Sequence, residues 1–167
     1  MSLRIQVSDL IARPGSSRRE AATLDVDVDL TTASVHGPVD VVADIRSLSD
    51  GVIARGRISA RANLVCNRCL SEHVEDISCD FEQVYRLVPE DPETELRIEN
   101  GAWIDLEPTC RDELVLSLPQ VSLCSFDCRG LCPTCGTDLN TGGCSGHAEG
   151  LSSPFAALAR LFESPTD

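Results

Sequence analysis

Four cysteines fall within twelve residues near the end of the chain, as Cys124-x3-Cys128-x3-Cys132-x2-Cys135, and Cys144 and His147 follow. The residues around them are mostly Gly, Ser, Thr and Asp, with Phe126, Leu131 and Leu139 almost the only large apolar side chains. Ordering backbone costs about 1–2 kcal/mol per residue, and so polar a stretch cannot recover that by burying apolar surface. It needs another source of order. A metal held by thiolates is one, because a structural zinc contributes about 10–16 kcal/mol of apparent binding free energy to folding. The string C-P-T-C-G at Cys132–Gly136 has the form of a zinc-ribbon knuckle, in which amide N–H groups turn toward the thiolates.

A second cysteine pair, Cys66-Asn-Arg-Cys69, stands far upstream. With it the candidate ligands are Cys66, Cys69, Cys124, Cys128, Cys132, Cys135, Cys144 and His147. Zinc takes four N or S ligands in a tetrahedron, so eight ligands suit two sites. The preferred partition joins Cys66/Cys69 to Cys124/Cys128 and Cys132/Cys135 to Cys144/His147. A competing partition places Cys124, Cys128, Cys132 and Cys135 on one ion, so the expected cofactor is one or two Zn2+. Complete ligand sets leave no open position for catalysis, and no phosphate-cradling glycine loop or Ser-His-Asp arrangement is evident. The chain therefore reads as a non-enzyme. A redox role for Cys132 and Cys135 would want a thioredoxin-like context, which is absent from the pattern.

All 14 basic residues are arginine, against 27 acidic ones, for a formal net charge of -13. Such a balance repels phosphate backbones except at a local basic patch. No apolar run is long enough to span a bilayer, and the first residues lack the apolar core of a secretory signal. A reducing, cytoplasmic setting is expected, in which nine cysteines serve as ligands or core thiols rather than disulfides.

The rest of the chain reads as antiparallel strands. Leu3–Val7 forms a short strand. Arg13–Arg19 reads as a loop, and Leu24–Leu30 alternates apolar residues with Asp25, Asp27 and Asp29. Val39–Ile45 is a strand entered through Gly37-Pro38. Val52–Leu64 alternates again, runs into Cys66, and returns through Ile77, Cys79 and Phe81, which makes a hairpin with Cys66 and Cys69 at its tip. Pro89–Gly101 reads as an exposed acidic loop. Leu106, Cys110, Leu114 and Leu118 are spaced as one face of a helix that stops at Pro119. Cys79 and Cys110 fall on apolar faces and read as core thiols, while His36 and His73 read as surface residues. A serine cap at Ser152-Ser153 with Pro154 opens a terminal helix. The fold class is α+β: an antiparallel sheet or open barrel with two packing helices and a zinc-knuckle segment. The expected division is residues 1–119 as β-rich core with one helix, 120–150 as zinc-binding segment and 151–167 as a helix packing back.

Three segments together carry a family resemblance: CNRCL at Cys66, the run DELVLSLPQVSLCSFDCRGLCPTCGTDLN from Asp112, and SSPFAALARLF from Ser152. The chain resembles the YceD family, the large ribosomal RNA subunit accumulation proteins. That resemblance implies a non-enzymatic cytoplasmic factor in large-subunit rRNA accumulation or processing and ribosome assembly. The expected partners are large-subunit rRNA or its precursor, a basic large-subunit ribosomal protein, or both, with no membrane and no small-molecule substrate. Arg55, Arg57 and Arg61 share one strand face, with Arg68 at the hairpin tip; these are the candidate RNA contacts. The acidic residues Glu90, Asp91, Glu93, Glu95 and Glu99 would favour a basic protein instead.

Overall fold

The computed structural model describes residues 3–91, 93, 96–144 and 146–147. The terminal helix expected from Ser152 lies outside the described residues. The chain divides into two compact units, Met1–Cys128 and Arg129–Asp167.

The first unit is built on four long antiparallel strands. They are β2 (Ser17–Asp29), β3 (Ala33–Ser47), β4 (Gly51–Val65) and β5 (Glu72–Arg86), neighbours in the sheet in that order. The short β6 (Leu96–Arg97) joins β5 in parallel. β1 (Arg4–Gln6) and β7 (Trp103–Asp105) form a separate two-stranded ribbon. Two helices complete the unit, α1 (Ser8–Ile11) and α2 (Glu107–Ser117). The sheet curls into a half-barrel, so that α2 touches both β5 and β2 across its concave face.

Strict alternation explains the sheet. In β4, Ala54, Ile58, Ala60, Ala62 and Leu64 are buried, while Arg55, Arg57, Ser59, Arg61 and Asn63 are exposed. A period of two sends alternate side chains to opposite faces. Gly56 lies on the inward face because a Cβ there would stand 2.1 Å from the Val42 carbonyl oxygen and 2.8 Å from Phe81 Cε1. Phe81, its partner across the ladder, occupies that space.

In α2 the four residues spaced for one helix face, Leu106, Cys110, Leu114 and Leu118, are all buried. The Glu107 N–H donates to Asp105 Oδ1 at 3.0 Å, which satisfies one free donor of the first turn. Leu118 leaves the helix with ψ 132, the extended conformation that a following proline enforces. Cys79 is half-buried and Cys110 fully buried against the core.

Several expectations are corrected. Ser17, Arg18 and Arg19 belong to β2 rather than a loop, because the Arg18 guanidinium binds the Asp9 carboxylate and orders that end. β3 does not begin at Gly37-Pro38 but runs through it. Its pairing with β2 is continuous there, while its register with β4 shifts between Ser34 and Asp40. Proline has no N–H for an interior ladder, so the strand accommodates it with a bulge, and Gly37 takes φ 103. Within the acidic stretch Pro89–Gly101, Leu96 and Arg97 pair with Tyr85 and Arg86, and Ile98 is 1% exposed in the core. Their two apolar side chains were hidden by the charged residues around them. The short helix α1 carries Leu10 into the core and had no periodic signal of its own. No helix among the described residues is long and apolar enough to cross a membrane.

Candidate metal centres

The hairpin of β4 and β5 closes through residues 66–71, and this tip places the first cysteine pair. The Leu70 N–H donates to the Cys66 carbonyl at 2.9 Å, and the Cys66 N–H to the Ser71 carbonyl at 2.9 Å. Leu70 takes φ 60, a left-handed conformation unusual for a side chain of that size. The Arg68 N–H points at Cys66 Sγ, 3.4 Å away.

Residues 132–137 repeat this turn. The Gly136 N–H donates to the Cys132 carbonyl and the Cys132 N–H to the Thr137 carbonyl, each at 2.8 Å, and Gly136 takes φ 73. A hydroxyl stands beside the second cysteine in both turns: Ser71 Oγ lies 3.0 Å from Cys69 Sγ, and Thr137 Oγ1 3.2 Å from Cys135 Sγ. The shared unit is therefore C-x-x-C, a left-handed residue, then Ser or Thr. Ser71 and Thr137 carry no signal in the cysteine spacing, and only the superposable hydrogen bonds reveal them.

Two groups of four ligand atoms result. Cys66, Cys69, Cys124 and Cys128 have sulfurs all within 4.8 Å of one another, and so have the donor atoms of Cys132, Cys135, Cys144 and His147. The competing set of Cys124, Cys128, Cys132 and Cys135 is not what the structure brings together. Each group lies wholly within one unit of the chain. The sulfur separations are 3.8 Å for Cys66–Cys128 and 3.5 Å for Cys69–Cys124 in the first group. In the second, Cys144 stands 3.7 Å from both Cys132 and Cys135. A tetrahedron with metal–sulfur bonds of about 2.3 Å has edges of about 3.8 Å, so the sulfur spacings of both groups suit a tetrahedral ion of that size. His147 Nε2 is 2.9 Å from Cys144 Sγ.

Electrostatics points the same way. Amide N–H groups of Cys124 and Cys69 pull the Cys66 thiol down to about 5 against the opposing effect of burial. The Ser71 hydroxyl leads the lowering of Cys69. Cys124 also feels the Ser71 hydroxyl, but the neighbouring thiol of Cys69 and burial override it and push Cys124 up to about 11. In the second group the Thr137 hydroxyl draws Cys135 down to about 6, while His147 is raised by its bonds to Cys135 and Cys132. Each group thus favours some thiolates and resists ionising all of them together. A divalent cation removes that conflict, since it requires every ligand deprotonated.

A polar clamp positions the first group. The Asn67 N–H donates to the Ser122 carbonyl at 2.8 Å, and the Ser122 N–H to Asn67 Oδ1 at 2.9 Å. His73 Nε2 lies 2.7 Å from Ser122 Oγ and 3.2 Å from Glu75 Oε1. These contacts fasten the segment that delivers Cys124 to the hairpin tip. His73 is accordingly half-buried rather than a surface residue. The Ser122, His73 and Glu75 side chains do not form a hydrolase relay, in which the acid binds the far ring nitrogen. Here both contacts fall on Nε2, and the buried Nδ1 has no partner. His36 also has partners: Nδ1 is 2.5 Å from Asp27 Oδ1 and Nε2 3.1 Å from Asp29 Oδ1, all exposed.

The candidate RNA contacts are engaged within the protein. Arg55 pairs with Glu82 at 2.8 Å, Arg57 with Asp80 at 2.8 Å and Arg61 with Asp76 at 3.3 Å, each across the β4–β5 ladder. Arg68 Nη1 donates to the Cys128 carbonyl at 2.8 Å, which ties the hairpin tip to the first group's last ligand.

Fold and site together define a half-barrel β-sheet protein with two cysteine-rich clusters able to hold metal. The family model for "Large ribosomal RNA subunit accumulation protein YceD" matches residues 54–162, and the chain belongs to this family. Among curated proteins it is similar to an uncharacterized protein of Mycobacterium leprae, 24% identical over 143 residues, covering 80% of this chain and 65% of the relative. It is also similar to uncharacterized proteins of Mycobacterium bovis and Mycobacterium tuberculosis, each 26% identical over 147 residues, covering 82% of this chain and 70% of the relative. The chain thus spans about two thirds of the length of these relatives. No solved structure matches it.

Proposed function

We propose that this chain is a non-enzymatic, cytoplasmic zinc-binding factor that supports large-subunit rRNA accumulation and processing during ribosome assembly. Family membership supplies the process. The observation that carries the zinc reading is the pair of four-donor groups at tetrahedral spacing. Two ions would be held, one by Cys66, Cys69, Cys124 and Cys128, the other by Cys132, Cys135, Cys144 and His147. Their role is to fix the knuckles in place, with no open coordination position and no turnover. The direct test is elemental analysis of the purified chain, expected to give two zinc ions. In cells carrying the Cys66→Ser/Cys69→Ser variant, the ratio of large- to small-subunit rRNA should fall. A metal-free protein that is folded and active in cells would refute the reading.

A second reading concerns the partner. The pairing of Arg55, Arg57 and Arg61 with carboxylates leaves their strand face without net positive charge. That favours an adaptor for a basic large-subunit ribosomal protein over direct contact with RNA. Contact through Arg55, Arg57, Arg61 and Arg68 would have to displace these partners. It would show as a steep salt dependence of affinity for precursor rRNA, which glutamate substitutions of the four arginines abolish.

A further inference from the structure

β2 is an edge of the sheet and pairs only with β3. The hydrogen bonds around it show which of its groups face outward. The Leu30 N–H donates to the Ala33 carbonyl, and the Ser47 N–H to the Ser16 carbonyl, so even-numbered positions turn their backbone toward β3. In an antiparallel ladder the alternate residues turn theirs away. Asp27 does so: its carbonyl accepts from Arg111 Nη1 at 2.9 Å on the free side. Asp25 and Asp29 share that parity. Among the described residues, this Arg111 contact is the one hydrogen bond made to the outward backbone of Asp25, Asp27 and Asp29. A long exposed edge of this kind is a template for another strand.

Beside this edge an open groove of about 620 Å³ separates β2 from α2. Val28, Val115 and Leu116 give it apolar walls, and Asp27, Asp29, Asp112 and the single cation Arg111 line it as well. Leu116 is 79% exposed, although it sits on the helix that closes the half-barrel.

We infer that the free edge of β2 and the adjoining groove take up an extended segment of a basic protein, which joins the sheet as an added strand. This rests on the adaptor reading above and names its surface. Pairing geometry prescribes the occupant. Residues whose backbone bonds to Asp25 and Asp29 stand directly opposite them, with side chains on the same solvated face, and the residue opposite Asp27 takes over the carbonyl that Arg111 now holds. Arginine or lysine there meets the carboxylates of Asp25, Asp27 and Asp29, the last two of which also contact His36. The alternate residues turn inward, where apolar side chains reach Val28, Val115 and Leu116. A second copy of this chain is disfavoured, because its own aspartate row would face this one. Nucleic acid is disfavoured by the same charge.

The test uses the full chain, labelled for NMR, and a synthetic peptide alternating arginine and valine. Binding should shift the amides of residues 23–29 and of α2, and should slow hydrogen exchange at Asp25 and Asp29. The same peptide N-methylated at its arginines keeps its charge but loses the edge hydrogen bonds, and should bind about tenfold more weakly or worse. Asp25→Lys, at an exposed position, should weaken the unmodified peptide by about tenfold as well. Asp25→Pro removes an outward N–H without touching the β3 ladder and should do the same; Asp25→Lys keeps the test decisive if the proline variant misfolds. Equal binding of the methylated peptide, or Asp25 and Asp29 amides already protected without peptide, would overturn the inference. Binding that ignores Asp25→Lys and shifts residues elsewhere would overturn the edge and leave the adaptor reading standing. No binding of any basic peptide or basic ribosomal protein would remove both.

Discussion

Replacing Cys135 by serine isolates what the second ligand group contributes. Cys135 is exposed, so the change removes a ligand with no loss of packing. In residues 129–147, only Gly130 and Cys132 are buried among those described. The ten residues Gly130–Leu139 hold three backbone hydrogen bonds of their own, from Cys132 to Thr137, Gly136 to Cys132 and Leu139 to Gly130. At about 1 kcal/mol each they supply about 3 kcal/mol. Fixing ten residues costs about 10–20 kcal/mol. The deficit of about 7–17 kcal/mol matches the 10–16 kcal/mol, approximately, that a structural zinc supplies. Cys135→Ser should therefore reduce bound zinc from two ions to one. The amides of Cys132, Gly136 and Leu139 should then exchange as in an unstructured chain, while those of β3 and β4 stay protected. The assay is hydrogen exchange read by NMR, beside zinc quantification. Persistent protection at Cys132, Gly136 and Leu139 in this variant, or after chelation of the native protein, would refute the reasoning.

Three further outcomes are expected. Gly56→Ala would force a Cβ to within 2.1 Å of the Val42 carbonyl oxygen and 2.9 Å of Ala43 Cα; backbone cannot yield cheaply, so denaturant unfolding should show a loss of about 1–3 kcal/mol or more. Tyr85 is 2% exposed, and its hydroxyl donates to the Asp105 carbonyl at 2.9 Å; Tyr85→Phe leaves that acceptor unpaired and should cost about 1–3 kcal/mol by the same measurement. His36 should titrate above 6.5 by NMR, because Asp27 first and then Asp29 favour its charged form. A raised folded value means that its contribution to stability is complete below 6.5 and fades as pH rises through the folded value; Asp27→Asn should lower the titration, and an unchanged curve would remove Asp27 as the cause.

Local periodicity made much of the sheet legible. The alternation in β4 and the spacing of Leu106, Cys110, Leu114 and Leu118 each name a buried face without any tertiary information. Cysteine spacing likewise names the residues that gather into two groups. What it leaves out are groups that act through backbone geometry. Asn67, Ser71, Ser122 and Thr137 are ordinary polar residues until the chain closes and turns them toward a ligand or its carrier. Ile98 and β6 were masked by acidic neighbours, and Gly37-Pro38 looked like a strand entrance because a bulge has no sequence pattern distinct from a break. The arginines of β4 read as a free cationic face because their carboxylate partners lie on β5, opposite them only once the register is known.

That register has a safeguard in the same side chains. Arg19, Asp44, Arg55 and Glu82 occupy one row across four strands, with the sign of the charge reversing at every step. Sliding β4 by two residues along β5 in either direction would preserve the inward and outward faces, so apolar burial alone barely opposes it. Such a slide would break all three arginine–carboxylate matches between these strands and form a single new one: Arg57 against Glu82 one way, or Arg55 against Asp80 the other. The charged lattice therefore works as an alignment key for the hairpin. Correct alignment in turn is what delivers Cys66 and Cys69 to its tip at the same height, ready to face Cys124 and Cys128.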